Sequence, residues 1–190
     1  TDLIIDKLKA DLGEDFLQIK EFALKEILEL IENDLLDFGV IHNKWFSESS
    51  LFEGDSKTNE VDRSIAELNS KGFVYEKDNA IWFKSTEFGD DKDRVLKRGN
   101  GEFTYFATDF AYHLNKYDRG YDRIINIWGS DHHGYFPRIR ASMEACDRNI
   151  NKLEVVFIQF ANLVRAGNKV TMSTRSCLLY TSDAADDLRG

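Results

Sequence analysis

One proline, two cysteines and two methionines in 190 residues are what this sequence is poorest in. Cys146 and Cys177 stand 31 positions apart with no CxxC pair, so a zinc ribbon or a redox dithiol has no ligands and a disulfide scaffold is excluded. A reducing, cytoplasmic setting is expected. Long hydrophobic runs are missing too. The longest stretch free of Asp, Glu, Lys and Arg is ten residues, Val155 to Val164, against the ~18 that a membrane-crossing helix needs. No membrane span and no signal peptide is read. Positive charge is in deficit, 25 Lys and Arg against 34 Asp and Glu for a net −9. That balance argues against holding nucleic acid by general charge, so any RNA contact is expected to be local. An initiator methionine is missing, and no turn or cap precedes Thr1; the chain is expected to be a piece of something longer.

What is present is core material. Hydrophobic residues make up 42% and aromatics 13%, which suits one domain, or one with an insertion. Apolar side chains at Leu24, Ile27, Leu28, Ile31 and Leu35 predict an amphipathic helix over 20–38, stopped by Gly39. Ile4, Ile5, Leu8 and Leu12 suggest a shorter helix before it. The aromatic and β-branched run Val40 to Phe46 reads as a strand, and Val61, Ile65 and Leu68 mark a small helix ended by Gly72. Two hairpins are expected next. One pairs Phe73–Tyr75 with Ala80–Phe83 around Lys77, Asp78 and Asn79; the other sets Asn100-Gly101 between 93–97 and 103–106. Thr108 is expected to cap a helix carrying Phe106, Phe110, His113 or Leu114, and Tyr117. Ile124 to Trp128 reads as a strand buried on both faces. A helix starting near Pro137 and burying Phe136, Ile139, Met143 and Cys146 follows, then a buried strand at Val155 to Gln159. Helix, strand, helix, strand is a parallel α/β repeat, so this half is expected to be doubly wound.

Chemistry concentrates in two places. Gly129-Ser130-Asp131-His132-His133-Gly134 lies between a strand and a helix, and the carboxyl end of a parallel strand is where ligands bind in open sheets. The bland alternative makes Asp131 a cap and one histidine a packing residue. Tyr105 and Asp109, four apart, can face the same sheet mouth. A carboxylate there suits a cationic substrate through a two-pronged bond to a guanidinium, or simply complements the helix dipole. The acidic loop Gly89-Asp90-Asp91-Lys92-Asp93 lacks the ligand spacing of an EF-hand and is read as a solvated turn. Gly99-Asn100-Gly101 is read as a turn rather than a phosphate cradle.

Taken together, three stretches resemble arginyl-tRNA synthetase. They are Trp45-Phe46-Ser47-Glu48-Ser49, the run from Trp82 to Arg98, and the run from Tyr105 through Asp131-His132-His133-Gly134 to Tyr135. The similarity spans about residues 20–176. It implies a class I aminoacyl-tRNA ligase with an α/β fold: an incomplete Rossmann-type parallel sheet with a hairpin-rich insertion. It also implies ATP as a substrate accompanied by Mg2+, no tightly bound protein metal, and L-arginine and the tRNA(Arg) acceptor end as partners. By matching position, Tyr105, Asp109 and His132 would bind arginine, and Gly129, Asp131 and His133 would bind ATP. Met172, Ser173, Thr174 and Arg175 would form the catalytic KMSK-type loop. Here the loop reads Val-Thr-Met-Ser-Thr-Arg-Ser, with threonine at both lysine positions, and Asn43 replaces the family's usual aspartate. The HIGH-type histidine pair and the anticodon-binding domain are expected outside this chain, so the fragment alone is expected to be inactive, and the parent enzyme monomeric.

The resemblance also implies a division. Residues 1–46 would hold helices and the first strand of the catalytic core, 47–104 an insertion, and 105–176 the second half of the core. Residues 177–190, resembling translated adapter read-through, are expected to be a non-native, disordered tail. Two other readings compete: a DHH-type manganese phosphoesterase built on Asp131, His132 and His133, and a non-catalytic truncated binding module.

Overall fold

A computed structural model describes residues 10, 13–55, 59–159, 163–165 and 168–170, and the chain divides into two compact units, Thr1–Ser47 and Glu48–Gly190. In the first unit, helix α1 spans Glu14–Asp37, longer than the periodicity suggested. Its end is set by Gly39, whose φ of 82° is open to glycine without a Cβ penalty. Gly39 N–H donates to the Leu36 carbonyl at 2.9 Å and Val40 N–H to that of Leu35 at 2.7 Å, closing two carbonyls that the helix leaves unpaired. The predicted stripe is on the helix but largely exposed, with Leu24 and Ile27 at 54%. Val40 to Phe46 forms no strand, correcting the expectation. An apolar run becomes a strand only where a neighbouring backbone takes its N–H and C=O groups. The shorter helix expected on Ile4, Ile5, Leu8 and Leu12 lies outside the described residues.

The second unit opens with a short 3-10 turn, Glu48–Phe52, and helix α2, Glu60–Ser70. Asn59 caps α2, its side chain accepting from the Asp62 N–H at 2.8 Å. Strands β1, Val74–Lys77, β2, Ala80–Phe83, and β3, Arg94–Lys97, form an antiparallel sheet in that order. The first hairpin turns on Asp78 and Asn79, at φ 53° and 58°, the paired left-handed geometry that matches strand twist. The second hairpin is shorter than expected. Lys97 bridges Phe103, and the chain then enters helix α3, Tyr105–Asp118. Thr104, not Thr108, is the cap: its Oγ1 accepts from the Ala107 N–H at 3.3 Å while donating to the Val95 carbonyl at 2.7 Å. One threonine thus starts α3 and ties it to β3.

Strand β4, Ile124–Gly129, then a 3-10 turn, Ser130–Tyr135, helix α4, Phe136–Ala145, and strand β5, Leu153–Ile158, follow. Strands β4 and β5 are parallel, with Ile124 opposite Leu153 and Gly129 opposite Ile158. The fold is therefore mixed α/β, a parallel pair joined by a helix beside an antiparallel hairpin sheet. A further hairpin, β6, Leu163–Arg165, with β7, Asn168–Val170, was not read from the sequence. Stacked rings tie the hairpin sheet to α3: Phe83 lies 6.2 Å from Phe106, and Phe106 6.5 Å from Phe110. Leu51, Val61, Leu68, Leu96, Ile139 and Met143 complete this core. Phe136 is only half-buried.

Strand β4 is not buried on both faces. Ile124 and Asn126 point inward, whereas Ile127 is 72% exposed. Side chains alternate along a strand, and among the described residues α3 lies on the Asn126 face while Ile125 and Ile127, on the other, are exposed.

Candidate active site

At the carboxyl end of β4 the chain tightens into Ser130–Tyr135, bringing its last residue against α3. Tyr135 Oη donates to Asp109 Oδ2 at 2.5 Å. Asp109 is the fifth residue of α3, and the first turn holds no acidic residue, so the dipole role considered for it is displaced by one turn. Half-buried, the carboxyl is pushed above its ordinary range. Burial is the main cause, with Glu48 adding to it, while the Tyr135 bond and the charges of Lys116 and His132 pull the other way. Among the described residues, the side-chain bond to this carboxylate is the one from Tyr135, no cation makes one, and Lys116 and His132 act on it through charge alone. Burial, then Asp109, drive the Tyr135 hydroxyl upward in turn, so it stays a donor.

Tyr105, one turn before Asp109, is 83% exposed at the start of α3. His132 is exposed and lies beside both Trp128, at 6.3 Å, and Tyr135, at 6.2 Å between ring centroids. Gly129 is the last residue of β4, extended at φ −63° and ψ 149°. Asp131 pairs loosely with His132, Oδ2 to Nε2 at 3.6 Å, and His133 stacks on Phe157 at 3.6 Å between ring centroids. A manganese site would need Asp131, His132 and His133 to converge, and among the described residues no group of three or more His, Cys, Asp or Glu side chains is placed to hold a metal ion. Met172, Ser173, Thr174, Arg175 and the 177–190 tail lie outside the described residues.

Behind Asp109 is a buried polar chain that sequence reasoning missed. His113 Nδ1 donates to the Asp109 carbonyl at 2.7 Å, Asn126 Nδ2 donates to His113 Nε2 at 3.0 Å, and Lys116 Nζ donates to Asn126 Oδ1 at 2.7 Å. Burial, then the Lys116 charge, lower the His113 pKa to about 4. Lys116 is itself lowered to about 8 by burial and by Arg119. A signal existed: Asn126 is the lone polar side chain on the inward face of an isoleucine-rich strand, and such a group needs a partner. The acidic loop is exposed at Gly89, Asp91 and Lys92, as expected of a solvated turn, but not at Asp90. Asp90 is 8% exposed and takes a bidentate grip from Arg94, Nε and a terminal nitrogen both at 2.7 Å.

Among the described residues, no helix is long and apolar enough to cross a membrane. Residues 17–181 match the family model for tRNA synthetases class I (R), catalytic domain. The chain is 55% identical over 175 residues to the arginine-tRNA ligase of Aromatoleum aromaticum, covering 92% of this chain and 29% of that protein. It is 55% identical over 157 residues to the arginine-tRNA ligase of Oceanobacillus iheyensis, 83% of this chain and 28% of that one. It thus spans under a third of the length of these curated relatives. Among solved structures, an arginyl tRNA synthetase from Campylobacter jejuni matches with a TM-score of 0.72 and 32% identity, over 88% of this chain and 37% of that one. The arginyl-tRNA synthetase of Plasmodium falciparum matches with a TM-score of 0.62 over 80% and 26%; at 17% identity this likeness is one of fold alone.

Proposed function

We propose that this chain, which belongs to the class I tRNA synthetases (R) through their catalytic domain, works as part of a longer arginine-tRNA ligase. The observation that carries this reading is Asp109. It is a partly desolvated carboxylate that takes a hydrogen bond from Tyr135 and from no cation among the described residues, beside the carboxyl end of a parallel strand. Such a group is stabilised by a guanidinium, which offers paired donors and a permanent charge.

In this function the arginine carboxylate attacks the α-phosphate of ATP, displacing pyrophosphate and forming arginyl-adenylate, and a terminal ribose hydroxyl of tRNA(Arg) then takes the arginyl group, giving up its proton and releasing AMP. The work is positioning and charge stabilisation, so no nucleophilic triad is required. Asp109 and Tyr105 hold the side chain of arginine, with His132 beside it. Gly129 lets the nucleotide approach the backbone, and Asp131 and His133 lie against its adenosine and ribose. Mg2+, accompanying ATP as part of the substrate, would supply counter-charge for its phosphates. Met172, Ser173, Thr174 and Arg175 act as the catalytic KMSK-type loop that serves the ATP site. Residues 47–104 serve as an insertion between the two parts of the catalytic core, 1–46 and 105–176. The parent enzyme is a cytoplasmic monomer. Because the chain covers 29% of such a ligase, it forms no arginyl-tRNA alone; charging of tRNA by the purified 190-residue chain would overturn that part.

The test of the substrate is Asp109→Asn in the full-length ligase. Losing the charge-assisted bond should lower kcat/KM for arginine roughly ten- to a hundredfold. Citrulline, a neutral near-isostere, should be affected much less, narrowing the preference between the two. An unchanged ratio removes Asp109 from the site.

A further inference from the structure

We infer that Tyr135 is a positioning residue for substrate selection: its hydroxyl holds Oδ2 of Asp109 and leaves Oδ1 aimed at the incoming cation. The inference rests on the proposed arginine site and adds to it the group that orients the carboxylate. A free carboxylate at the end of a helical side chain has two rotatable bonds and accepts at either oxygen. Here Tyr135 takes one of the two oxygens, and the backbone of the residue is held as well. The Asp109 carbonyl is bound by the His113 ring at 2.7 Å, and Oδ2 is bound by the Tyr135 hydroxyl at 2.5 Å. Tyr135 is in turn held in place: its ring meets Trp128 edge-on at 5.9 Å between centroids, and the Arg138 guanidinium lies 4.7 Å over its face. It ends the 3-10 turn that carries His132, so the turn that places the candidate substrate histidine also places the hydroxyl. The result is an oriented carboxylate, with Oδ2 already accepting one bond and Oδ1 left for a substrate donor, an arrangement that rewards a charged N–H donor over a neutral amide.

The charged and titratable groups facing Asp109 are Glu48 from the 48–52 turn, Lys116 from α3 itself, and His132 and Tyr135 from the turn after β4. Arg94 of β3 and Arg138 of α4 face Tyr135. Since the Tyr135 bond favours the ionised carboxylate, its removal should shift the acid limb of kcat/KM for arginine to higher pH.

The experiment uses the full-length ligase and measures arginine-dependent pyrophosphate exchange for wild type, Tyr135→Phe, Asp109→Asn and the double variant. Expected for Tyr135→Phe are a rise in KM for arginine of about tenfold or more with kcat little changed, an acid limb moved upward, and a narrowed arginine-to-citrulline ratio. In the double variant, Tyr135→Phe should add little, because its effect passes through the carboxylate. A merely structural role would lower the active fraction equally for both substrates and leave the limb in place, which overturns the inference while Asp109→Asn still upholds the arginine site. If Asp109→Asn leaves arginine preference intact, the arginine site falls and the inference with it. Should Tyr135→Phe fail to fold, 3,5-difluorotyrosine at position 135 keeps the shape with a stronger donor. It should then move the acid limb downward, and an unmoved limb overturns the inference.

Discussion

His113 and Asn126 meet across the seam between α3 and β4, ring Nε2 to amide Nδ2 at 3.0 Å, both side chains buried. The contact assigns the tautomer. A carbonyl can only accept, so the bond to Asp109 places the His113 proton on Nδ1 and leaves Nε2 to accept from the amide. The Asn126 oxygen is then free for Lys116. Each member is satisfied only while the ring is neutral, and the chain ends at the backbone of the residue proposed to hold substrate.

Stability should therefore depend on pH through His113. Its folded pKa of about 4 lies below its ordinary 6.5, so the unfolded chain binds the proton first as the solution is acidified. The contribution is full above pH 6.5 and is lost progressively as pH falls to about 4, amounting to on the order of 3 kcal/mol. Urea unfolding of wild type and His113→Gln across this window should show a shallower acid slope for the variant, whatever its absolute stability.

A single-atom exchange at Asn126 should reverse the state of the ring. Asn126→Asp removes the donor facing Nε2 and puts a carboxylate there, which favours imidazolium. The His113 pKa, followed by NMR of its ring protons, should rise from about 4 by well over one unit. A ring that stays neutral to the same low pH would refute the assigned bonding.

The Asp90 to Arg94 clamp should matter more to stability than surface ion pairs do. Burial alone would raise Asp90, but the bonds from Arg94 and from the Asp91 N–H outweigh it and hold the carboxyl at about 2. Arg94→Leu leaves a buried carboxylate without its partner and should cost about 3 to 5 kcal/mol, with Arg94→Lys falling between. The sign in acid follows from the same values: the clamp is fully effective above the ordinary pKa of 3.8 and is lost as pH falls through about 2, so the gap between wild type and Arg94→Leu should close there.

How much of this could be read from residue order differs element by element. Asp78-Asn79 between two apolar runs marked the first hairpin, Gly39 the end of α1, and the strand-helix-strand order from Ile124 to Ile158 the parallel pair, because backbone preference and side-chain period act within a few residues. The resemblance of the runs 82–98 and 105–135 pointed to the family that the comparisons then matched. Other features depend on residues far apart in the chain. Val40 to Phe46 has the composition of a strand but, among the described residues, pairs with none. Tyr105 falls in a stretch that reads as a hairpin arm, but Thr104, bonded to Val95, starts the helix there. Whether Ile127 is covered depends on what lies over its face of β4. Nothing local joins Tyr135 to Asp109, 26 residues apart, or Asn126 to His113. Those bonds exist because β4 and its following turn are laid against α3, and a buried polar atom takes whatever partner that packing brings within 3 Å.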